Sequence, residues 1–410
     1  MSDWKTAKLG NLAEVQTGPF GSQLKNEQYI TGGTPVVTVE HITNFLIEDF
    51  TYPSVTDEDK NRLKKYTLKA GDIVFSRVGS VDLSALVKNH QDGWLFSSRM
   101  LRVRVKEKLN TKFLSYYLRQ SSVRQFIINT SVGSTMPSIN TELLKNLPVV
   151  YCSLEKQKKI ASVLSSLDDK IELNNRINSE LENLAKTIYD YWFVQFDFPD
   201  ENGTPYKSSG GKMVYNHELK RAIPAGWEVK KLSNIADITM GQSPDGESYN
   251  EEKKGEIFFQ GSTDFGWRFP TIRQYTTQPS RMAKKGDILL SVRAPVGTLN
   301  IADNDCCIGR GLAALRSKSG FNSYLFYVME YFKTTFDHRN NIGTTFGSIT
   351  KDDLFNLKLV YPDKEHLKKY ELIVSKYNQL ILNNHLQNQQ LTQLRDWLLP
   401  MLMNGQITVK

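Results

Sequence analysis

One set of residues fits the pattern of a metal-dependent nuclease. Pro199-Asp200 followed by Glu228-Val229-Lys230 matches the loose PD...ExK arrangement, in which carboxylates hold Mg²⁺ and a lysine assists the attacking nucleophile. Asp200, however, lies in a stretch rich in Pro, Gly and Ser, which is typical of turns. Glu228 corresponds to Lys5 in an internal repeat of the chain. We therefore interpret the match as accidental and predict no catalytic residue.

Other catalytic and metal-binding patterns are missing from the sequence. Cys152, Cys306 and Cys307 lack CxxC spacing and the six histidines are scattered, which predicts reduced thiols and no structural metal. A DNA methyltransferase would need an Asn/Asp-Pro-Pro-Tyr/Phe motif and a glycine-rich loop after a strand, and neither occurs. The formal net charge of +8 instead favours a polyanionic partner. The alternative is a basic protein whose Lys and Arg side chains are solvated.

Length and composition predict a globular protein of several domains. A chain of 410 residues exceeds one ordinary hydrophobic core, so two or three domains are expected. Hydrophobic residues make up 40% and charged residues 23%, as in globular rather than disordered proteins. The N-terminus has no apolar signal region and no stretch approaches a membrane span. We expect a cytoplasmic protein without membrane contact.

Three blocks of residues occur twice in the same order. Residues 4–18 match 227–241, 69–76 match 284–291, and 138–151 match 348–361. The clearest block reads Lys-Ala-Gly-Asp-Ile-Val-Phe-Ser in the first copy and Lys-Lys-Gly-Asp-Ile-Leu-Leu-Ser in the second, and an arginine follows each, Arg77 and Arg293. The chain is therefore a tandem duplication of about 210 residues per copy.

Each copy ends in a predicted long helix. Apolar residues recur at alternating steps of four and three from Leu154 to about Trp192, and again from Lys364 to about Leu402, the a/d pattern of a coiled coil. Each helix would be roughly 58 Å long at about 1.5 Å per residue. A pseudo-two-fold axis between the copies would make the helices antiparallel, with residue numbers of facing pairs summing to about 562.

Two asparagines interrupt the middle of each apolar seam. They are Asn174 and Asn178 in the first helix and Asn384 and Asn388 in the second. The antiparallel register pairs Asn174 with Asn388 and Asn178 with Asn384. Buried asparagines cost stability but specify register, because a slipped pairing leaves an amide without a partner. The alternative is that these side chains lie on a solvated flank of the helices.

The resulting fold class is α+β, a tandem pseudo-two-fold repeat of two α/β domains separated by two long antiparallel helices that form a coiled coil. We call the globular domains head 1 and head 2. Strands are predicted in runs such as 34–39, 72–76 and 101–105, tight turns at 71–72 and 286–287, and helices at 110–129 and 322–337. The predicted domains are head 1 at 1–152, the central helix at 153–193, a crossover linker at 194–226, head 2 at 227–362, and the C-terminal helix with its tail at 363–410.

Two similar heads on a rigid pair of helices suit the recognition of two short DNA sites at a fixed spacing. The loop after the first strand is Gly18-Pro-Phe-Gly-Ser22 in head 1 and Gly241-Gln-Ser-Pro-Asp-Gly246 in head 2. Since the framework is shared and the loops differ, we expect two different half-sites and hence an asymmetric target.

The order head, long helix, head, long helix resembles the specificity subunit of type I restriction-modification systems over essentially the whole chain. The most specific strings are the crossover from Trp192-Phe through Phe196-Asp-Phe-Pro199 to Ile223-Pro-Ala-Gly-Trp227, and, in head 2, Gly241-Gln-Ser-Pro, Phe259-Gln-Gly261, residues 286–297 and Gly309-Arg-Gly311. The resemblance implies that the heads are target recognition domains and that the chain is a non-catalytic DNA-specificity subunit.

The resemblance also implies partners. Two modification subunits would use S-adenosylmethionine to methylate adenine N6 in double-stranded DNA, and two restriction subunits would add ATP- and Mg-dependent translocation and cleavage, with no cofactor in this chain. The alternative is a free-standing sequence-specific DNA-binding or scaffold protein without an enzyme partner. Apolar residues outside the seam favour a second buried surface on the helices; they are Val163, Ile177, Leu184, Leu372, Leu382 and Leu394.

The candidate DNA contacts are loop residues whose side chains suit phosphates or base edges, with arginine favouring guanine and glutamine favouring adenine. They are Phe20, Ser22, Lys25, Arg77 and Arg99 in head 1, and Gln242, Ser243, Gln260, Arg268, Arg293 and Arg310 in head 2. Arg99 and Arg310 occupy equivalent places in the alignment, which predicts a shared phosphate contact. The alternative for each arginine is a solvated or internally paired side chain.

Overall fold

The computed structural model of the chain describes residues 3–43, 45–48, 51–133, 135–341 and 348–409. The chain forms two compact units. Unit 1 consists of Met1–Leu173 with Gln387–Lys410, and unit 2 consists of Asn174–Leu386. Each unit therefore combines one head with segments of both long helices.

A four-stranded antiparallel sheet forms the centre of head 1. Its strands lie in the order β1 (Ala13–Thr17), β3 (Met100–Val105), β2 (Ile73–Ser76) and Ser84–Leu86. Strand β2 is buried on both faces, since Ile73 and Phe75 contribute to one core and Val74 to another. A strand covered on both faces is expected to be continuously apolar, which explains the uninterrupted run in the sequence.

The other elements of head 1 surround this sheet. Its short sheets pair Lys5–Lys8 with Pro148–Tyr151 and Ile42–Thr43 with Leu46–Ile47, and place Thr34–Val37 between Ser54–Val55 and Leu95–Phe96. Its α-helices are Leu9–Leu12, Asp57–Arg62, Thr111–Arg119, Ser121–Thr130 and Thr141–Lys145. The helix predicted at 110–129 is thus two helices, because Gln120 between them adopts an extended backbone (φ −61°, ψ 135°).

Head 2 repeats the central sheet of head 1. Its strands lie in the order β4 (Ala236–Met240), β6 (Leu312–Ser317), β5 (Ile288–Ser291) and Leu299–Ile301. Around it, within the residues that the structure describes, lie a five-stranded sheet, two strand pairs and three α-helices. The strands of the five-stranded sheet are, in order, Tyr249–Asn250, Gln274–Thr276, Glu256–Phe259, Cys306–Ile308 and Met282–Ala283. The strand pairs are Glu228–Lys231 with Lys358–Tyr361 and Met213–Asn216 with Arg221–Pro224. The helices are Leu232–Ile235, Asn322–Asn341 and Lys351–Phe355.

The repeated Gly-Asp pairs make the predicted tight turns. Gly71 and Gly286 have φ of +90° and +87°, which only glycine adopts without strain. The aspartate that follows each glycine accepts a hydrogen bond from a backbone N–H at the start of the turn, from Lys69 to Asp72 at 2.8 Å and from Lys284 to Asp287 at 2.7 Å. Each turn leads directly into the buried strand β2 or β5.

The two predicted long helices are α1 (Leu154–Tyr189), which continues as a π-helical turn at Asp190–Val194, and α2 (Lys364–Met403). In unit 1, Ile160 and Leu164 near the start of α1 share a core with Leu399 and Leu402 near the end of α2. Within this unit the two helices are therefore antiparallel, as the sequence predicts.

Unit 2 shows the same antiparallel arrangement. Ala185 and Tyr189 near the end of α1 share a core with Tyr370 and Val374 near the start of α2. Among the described residues, no helix is both long and apolar enough to cross a membrane.

Candidate nucleic-acid interface

The candidate contacts of head 1 leave the central sheet at one edge. Strands β1 and β2 end at Thr17 and Ser76, and the antiparallel strand β3 begins at Met100. The pairing of Leu101 with Thr17 and of Met100 with Ser76 brings these three strand ends together. The loops that follow or precede them carry the predicted contacts.

Three of the predicted residues meet at this edge. The Arg77 guanidinium lies 5.7 Å from the centroid of the Phe20 ring, and its Nη1 donates at 3.3 Å to the hydroxyl of Thr17 and to the carbonyl of Ser98. The Arg77 backbone N–H donates to the carbonyl of Arg99 at 2.8 Å. Phe20 is 52% exposed. An exposed aromatic ring beside a positioned guanidinium can contact both a base and a phosphate.

Ser22 and Lys25 lie on the exposed part of the same loop. Between them, Gln23 ties the loop to the helix Asp57–Arg62 and the turn after it. Its carbonyl accepts a hydrogen bond from Arg62 Nη1 at 2.7 Å, and its side-chain Oε1 accepts one from the Tyr66 hydroxyl at 2.6 Å. The loop is therefore held from both sides, which limits the entropy lost when it orders on a ligand.

Head 2 brings four of its predicted residues together at the corresponding edge. The Ser243 hydroxyl and the Gln260 amide form two hydrogen bonds, of 2.9 and 3.2 Å. The Arg310 backbone N–H donates to the Ser243 hydroxyl at 3.3 Å, and the Gln242 N–H to the carbonyl of Ile308 at 3.0 Å. The side chains of Gln242 and Arg310 are exposed. This cluster can offer amide, hydroxyl and guanidinium groups to base edges.

A glycine allows the backbone of head 2 to close at this edge. A Cβ atom at Gly241 would overlap the carbonyl oxygen of Gly309 and would stand 2.8 Å from those of Ile308 and Leu312. The sequence run Gly241-Gln-Ser-Pro therefore depends on glycine for the close approach of β4 to the loop that precedes β6.

The backbone hydrogen bonds correct the predicted equivalence of Arg99 and Arg310. Arg77 donates to the carbonyl of Arg99, whereas in head 2 Val292 donates to the carbonyl of Gly311. Arg99 thus corresponds to Gly311, and Arg310 lies one position earlier. The sequence does not determine this register, because the loop has no periodic pattern that would align the two copies. The expectation of a shared phosphate contact loses its basis, although both arginines are exposed, as is Arg293.

Comparison with known proteins agrees with this architecture. The family of type I restriction modification DNA specificity domains matches residues 1–183 and again residues 224–395. The chain belongs to this family. The two matches coincide with the two copies seen in the sequence.

Named relatives extend the match to the whole chain. The MjaX type I restriction enzyme specificity subunit of Methanocaldococcus jannaschii is 32% identical over 420 residues, covering 100% of this chain and 94% of the relative. The HindI specificity subunit of Haemophilus influenzae is 21% identical, covering 99% of this chain and 100% of the relative. The solved S subunit of a type I system from M. genitalium has a TM-score of 0.62 and 18% identity, covering 98% of this chain and 96% of that one.

These comparisons confirm the predicted family, the α+β fold class and the role of a DNA-specificity subunit rather than a catalytic subunit. The family has no known cofactor of its own. The individual DNA contacts and the domain boundaries stay predictions.

Arg268 lies away from the interface of this specificity subunit. Its side chain is buried, and the residue is only 2% exposed. Its Nη1 donates to Glu182 Oε1 at 3.0 Å, its Nη2 donates to Asn378 Oδ1 at 2.7 Å, and its guanidinium lies 4.4 Å from the Phe326 ring centroid. The sequence predicts Arg268 as a DNA contact because a loop arginine shows no sign of burial. The structure makes it a link between head 2 and both long helices within unit 2.

One pair of seam asparagines, within unit 2, is placed as the antiparallel register requires. Asn384 Nδ2 donates to Asn178 Oδ1 at 2.8 Å, and the two residue numbers sum to the predicted value. Asn174 and Asn178 are buried, and Asn384 and Asn388 are half-buried. None of the four lies on a fully solvated flank, so the geometry supports the register hypothesis.

An ion network links head 1 to the helices within unit 1. Asp168 on α1 accepts from Arg395 of α2 at 2.8 Å, and from Tyr116 and Arg119 of the helix Thr111–Arg119 at 2.7 Å each. Burial by itself raises the pKa of Asp168, but the two guanidinium groups and the tyrosine hydroxyl outweigh it and hold the pKa below its usual range.

The nuclease-like residues serve local structure. Asp200 accepts hydrogen bonds from the backbone N–H groups of Asn202 and Thr204 at 2.8 and 2.9 Å, and from the Thr204 hydroxyl. The bonds from the Thr204 backbone and side chain lower the pKa of Asp200. Glu228 forms an ion pair of 3.0 Å with Lys230. Both carboxylates therefore have local partners. Asp200 stabilises a turn, and Glu228 pairs with a lysine of its own strand.

The structure contains one basic surface that the sequence did not predict. Six cationic residues of head 1 line a single cleft, namely Lys60, Lys64, Lys65, Lys69, Arg102 and Arg104. The only signal for it in the sequence is the alternation Arg102-Val-Arg104, which places both arginines on one face of a strand. The lysines come from a separate segment, and only the tertiary structure brings them beside β3.

Proposed function

We propose that this specificity subunit reads a bipartite, asymmetric double-stranded DNA target with a fixed spacer, one half-site per head. One observation supports the proposal most directly. In each head, loops leave the corresponding edge of its central sheet, but the side chains on those loops differ between the heads. Head 1 offers Phe20, Arg77 and Arg99, whereas head 2 offers the Ser243–Gln260 pair and Arg310. Because the two heads share a scaffold and differ in the side chains that can contact bases, we expect them to recognise different half-sites.

The exposed apolar residues of the long helices support the docking of modification subunits. Leu184 of α1 is exposed, and Leu372 of α2 is 65% exposed. Ile177 and Leu394, which also lie outside the a/d seam, are exposed as well. Exposed leucines on helices whose seam is already buried fit a second protein partner, whereas a free-standing DNA-binding or scaffold protein would not need them.

The proposed complex contains two modification subunits, which methylate adenine N6 with S-adenosylmethionine, and two restriction subunits, which use ATP and Mg for translocation and cleavage. This chain determines which DNA sequence is recognised and the spacing between its two half-sites. We propose a cytoplasmic location on the same grounds. The MjaX, HindI and M. genitalium proteins support this assignment, because each is named as the specificity or S subunit of a type I system.

Methylation mapping tests the proposal. Genomic DNA from cells that carry this chain with its modification subunit is compared with DNA from cells that lack the chain. One new N6-methyladenine motif with two unequal halves and a fixed gap is the expected result. If the two subunits copurify and no such motif appears, the proposed reading function is wrong.

A head-specific variant sharpens the test. Gln260→Ala removes the amide beside Ser243, and the loss of one bidentate contact costs about 1–3 kcal/mol of base discrimination. We expect relaxed sequence preference in one half of the motif and an unchanged second half. Gln125→Ala, which alters an exposed glutamine on a helix of head 1, is the matched control and should leave both halves intact.

A further inference from the structure

A cleft of about 570 Å³ lies beside the loop of residues 18–25 in head 1, which we call the reading loop. Arg102 and Arg104 of β3 and Glu14 and Gln16 of β1 line one side, and the segment from Lys60 to Lys69 lines the other. Among the described residues that line the cleft, Glu14 is the single acidic one, against six cations. The cleft is thus a concentrated positive surface on a protein whose ligand is a polyanion.

Arg102 forms a buried floor with an unused donor. The residue is 2% exposed, and its Nη2 donates to Glu14 Oε1 at 2.8 Å. Its Nη1 is 3.4 Å from the carbonyls of Lys65 and Thr67. Within the described ranges its Nε has no hydrogen-bond partner. Because the Nε atom is itself buried, Arg102 acts on the cleft through the positive charge of its guanidinium.

The lysines of the opposite wall are not neutralised. Within the part of the chain that the structure describes, no carboxylate pairs with the ammonium groups of Lys60, Lys64 or Lys69, and the Lys65 ammonium lies 4.9 Å from the centroid of the Tyr66 ring. Arg104, in contrast, is held by Asp72 at 2.6 and 2.7 Å. Four ammonium groups around one cleft repel one another, and an anion bound between them relieves that repulsion.

The cleft belongs to head 1 alone. The pairing of Met100 with Ser76 and of Leu312 with Ser291 makes Arg102 correspond to Ala314. The residues between the first and second repeat blocks are not shared by the two copies, so Lys60, Lys64 and Lys65 have no counterpart in head 2. The buried arginine and three of the four opposing lysines are therefore specific to head 1, whereas Lys69 aligns with Lys284 of head 2.

The cleft is continuous with the reading loop. Gln16 on β1, one residue before Thr17, donates to the carbonyl of Lys65 at 3.2 Å. Gln23 in the loop is bonded to Arg62 and Tyr66, which flank the same lysines. The loop that carries Phe20 is therefore bonded directly to the segment that carries the lysines of the cleft.

We propose that this cleft binds phosphate groups of the duplex DNA next to the half-site read by head 1, and that it forms a sequence-independent clamp absent from head 2. The inference rests on the proposed function, which supplies duplex DNA as the ligand. Phosphate contacts position a protein on DNA without reading sequence. Head 1 therefore carries the larger share of the salt-dependent affinity.

The test compares two triple variants of the full-length chain with equal loss of charge. The cleft variant is Lys60→Gln, Lys64→Gln and Lys65→Gln. The control variant changes Lys106, Lys108 and Lys145, which are exposed lysines of head 1 outside the cleft, to Gln. Affinity for a random-sequence duplex is measured over a range of salt concentrations. Each phosphate contact contributes about 0.9 to the slope of log K against log salt.

We expect the slope of the cleft variant to become shallower by about 2–3 and that of the control by less than about 1. Equal changes in the two variants would overturn the clamp, because long-range charge alone would then explain them. Both triples should keep the wild-type unfolding midpoint. If the cleft triple unfolds earlier, Lys64→Gln alone replaces it, with an expected slope change of about 0.9.

Two further readouts separate the possible failures. The methylated motif of the cleft variant should match that of the wild type, because phosphate contacts carry no sequence information; a changed motif would assign these lysines to base reading and overturn the clamp. If the wild-type protein gives no methylated motif, the proposed function is wrong and the clamp is not the cause of the failure. Inorganic phosphate is titrated as a third arm. Stabilisation of the wild type by phosphate, with an unchanged DNA slope in the cleft variant, would reveal a small-anion site and reject the DNA clamp.

Discussion

Replacement of Arg268 by methionine tests whether this arginine is a structural link or a DNA contact. The Arg268 side chain is 1% exposed and its Nη1 lies 3.0 Å from Glu182 Oε1. At an effective dielectric of about 20, two unit charges at about 3 Å attract by about 5.5 kcal/mol. Because Glu182 is 27% exposed, solvent takes over part of this interaction when the arginine is lost. We expect Arg268→Met to destabilise unit 2 by about 3 kcal/mol.

A double-mutant cycle isolates the ion pair. Arg268→Met leaves a partly buried carboxylate unpaired, and Glu182→Met leaves a buried guanidinium unpaired, so both single variants should lose stability. The double variant replaces the pair by apolar side chains and should regain most of the loss, to within about 1 kcal/mol of the wild type. Hydrogen exchange of the amides in residues 176–186 and 261–270, measured in urea, reports on unit 2 alone.

The pH dependence provides a second signature. Burial raises the pKa of Glu182, although Arg268 opposes the shift. Without Arg268 the pKa of Glu182 should rise further. A carboxyl whose folded pKa is raised stabilises the fold below its unfolded pKa and loses that contribution as pH rises through the folded pKa. The deficit of Arg268→Met should therefore shrink when the pH falls from about 8 to about 5.

DNA binding decides between the two roles of Arg268. The slope of log K against log salt for a random-sequence duplex should be unchanged in Arg268→Met. An unaffected stability together with a slope that falls by about 1 would refute the reasoning, because it would show that the arginine contacts a phosphate.

Three further variants test other parts of the protein. Asn384→Leu should destabilise the helix pair by about 1–3 kcal/mol because the buried Asn178 amide loses its partner, and the Asn178→Leu, Asn384→Leu double variant should recover stability in urea unfolding. Burial raises the pKa of Glu371, so Glu371→Gln should raise the unfolding temperature at pH 8 and leave it unchanged at pH 4; equal shifts at both would contradict this. Gly241→Ala, whose Cβ would overlap the Gly309 carbonyl, should abolish recognition of one half-site in methylation mapping and spare the other.

Local patterns in the sequence determined the repeat, the long helices and the family. The a/d spacing predicted α1 and α2 and paired Asn178 with Asn384, because a helix repeats its geometry every few residues and the pattern records which face is buried. The Gly-Asp pairs predicted the turns before β2 and β5 for a similar reason, since the required backbone angle belongs to glycine. The long helices and the turns depend on residues close together in the chain, and the pairing of Asn178 with Asn384 follows from comparing the same local pattern in the two copies.

Only the tertiary structure decided which charged side chains face solvent and which meet one another. Arg268 and Arg310 are both loop arginines, yet the first is buried against Glu182 and the second is exposed. The basic cleft joins residues 14–16, 60–69 and 102–104, which are separated by tens of residues in the chain. Burial and charge clustering are set by long-range contacts, and no local periodicity encodes those contacts.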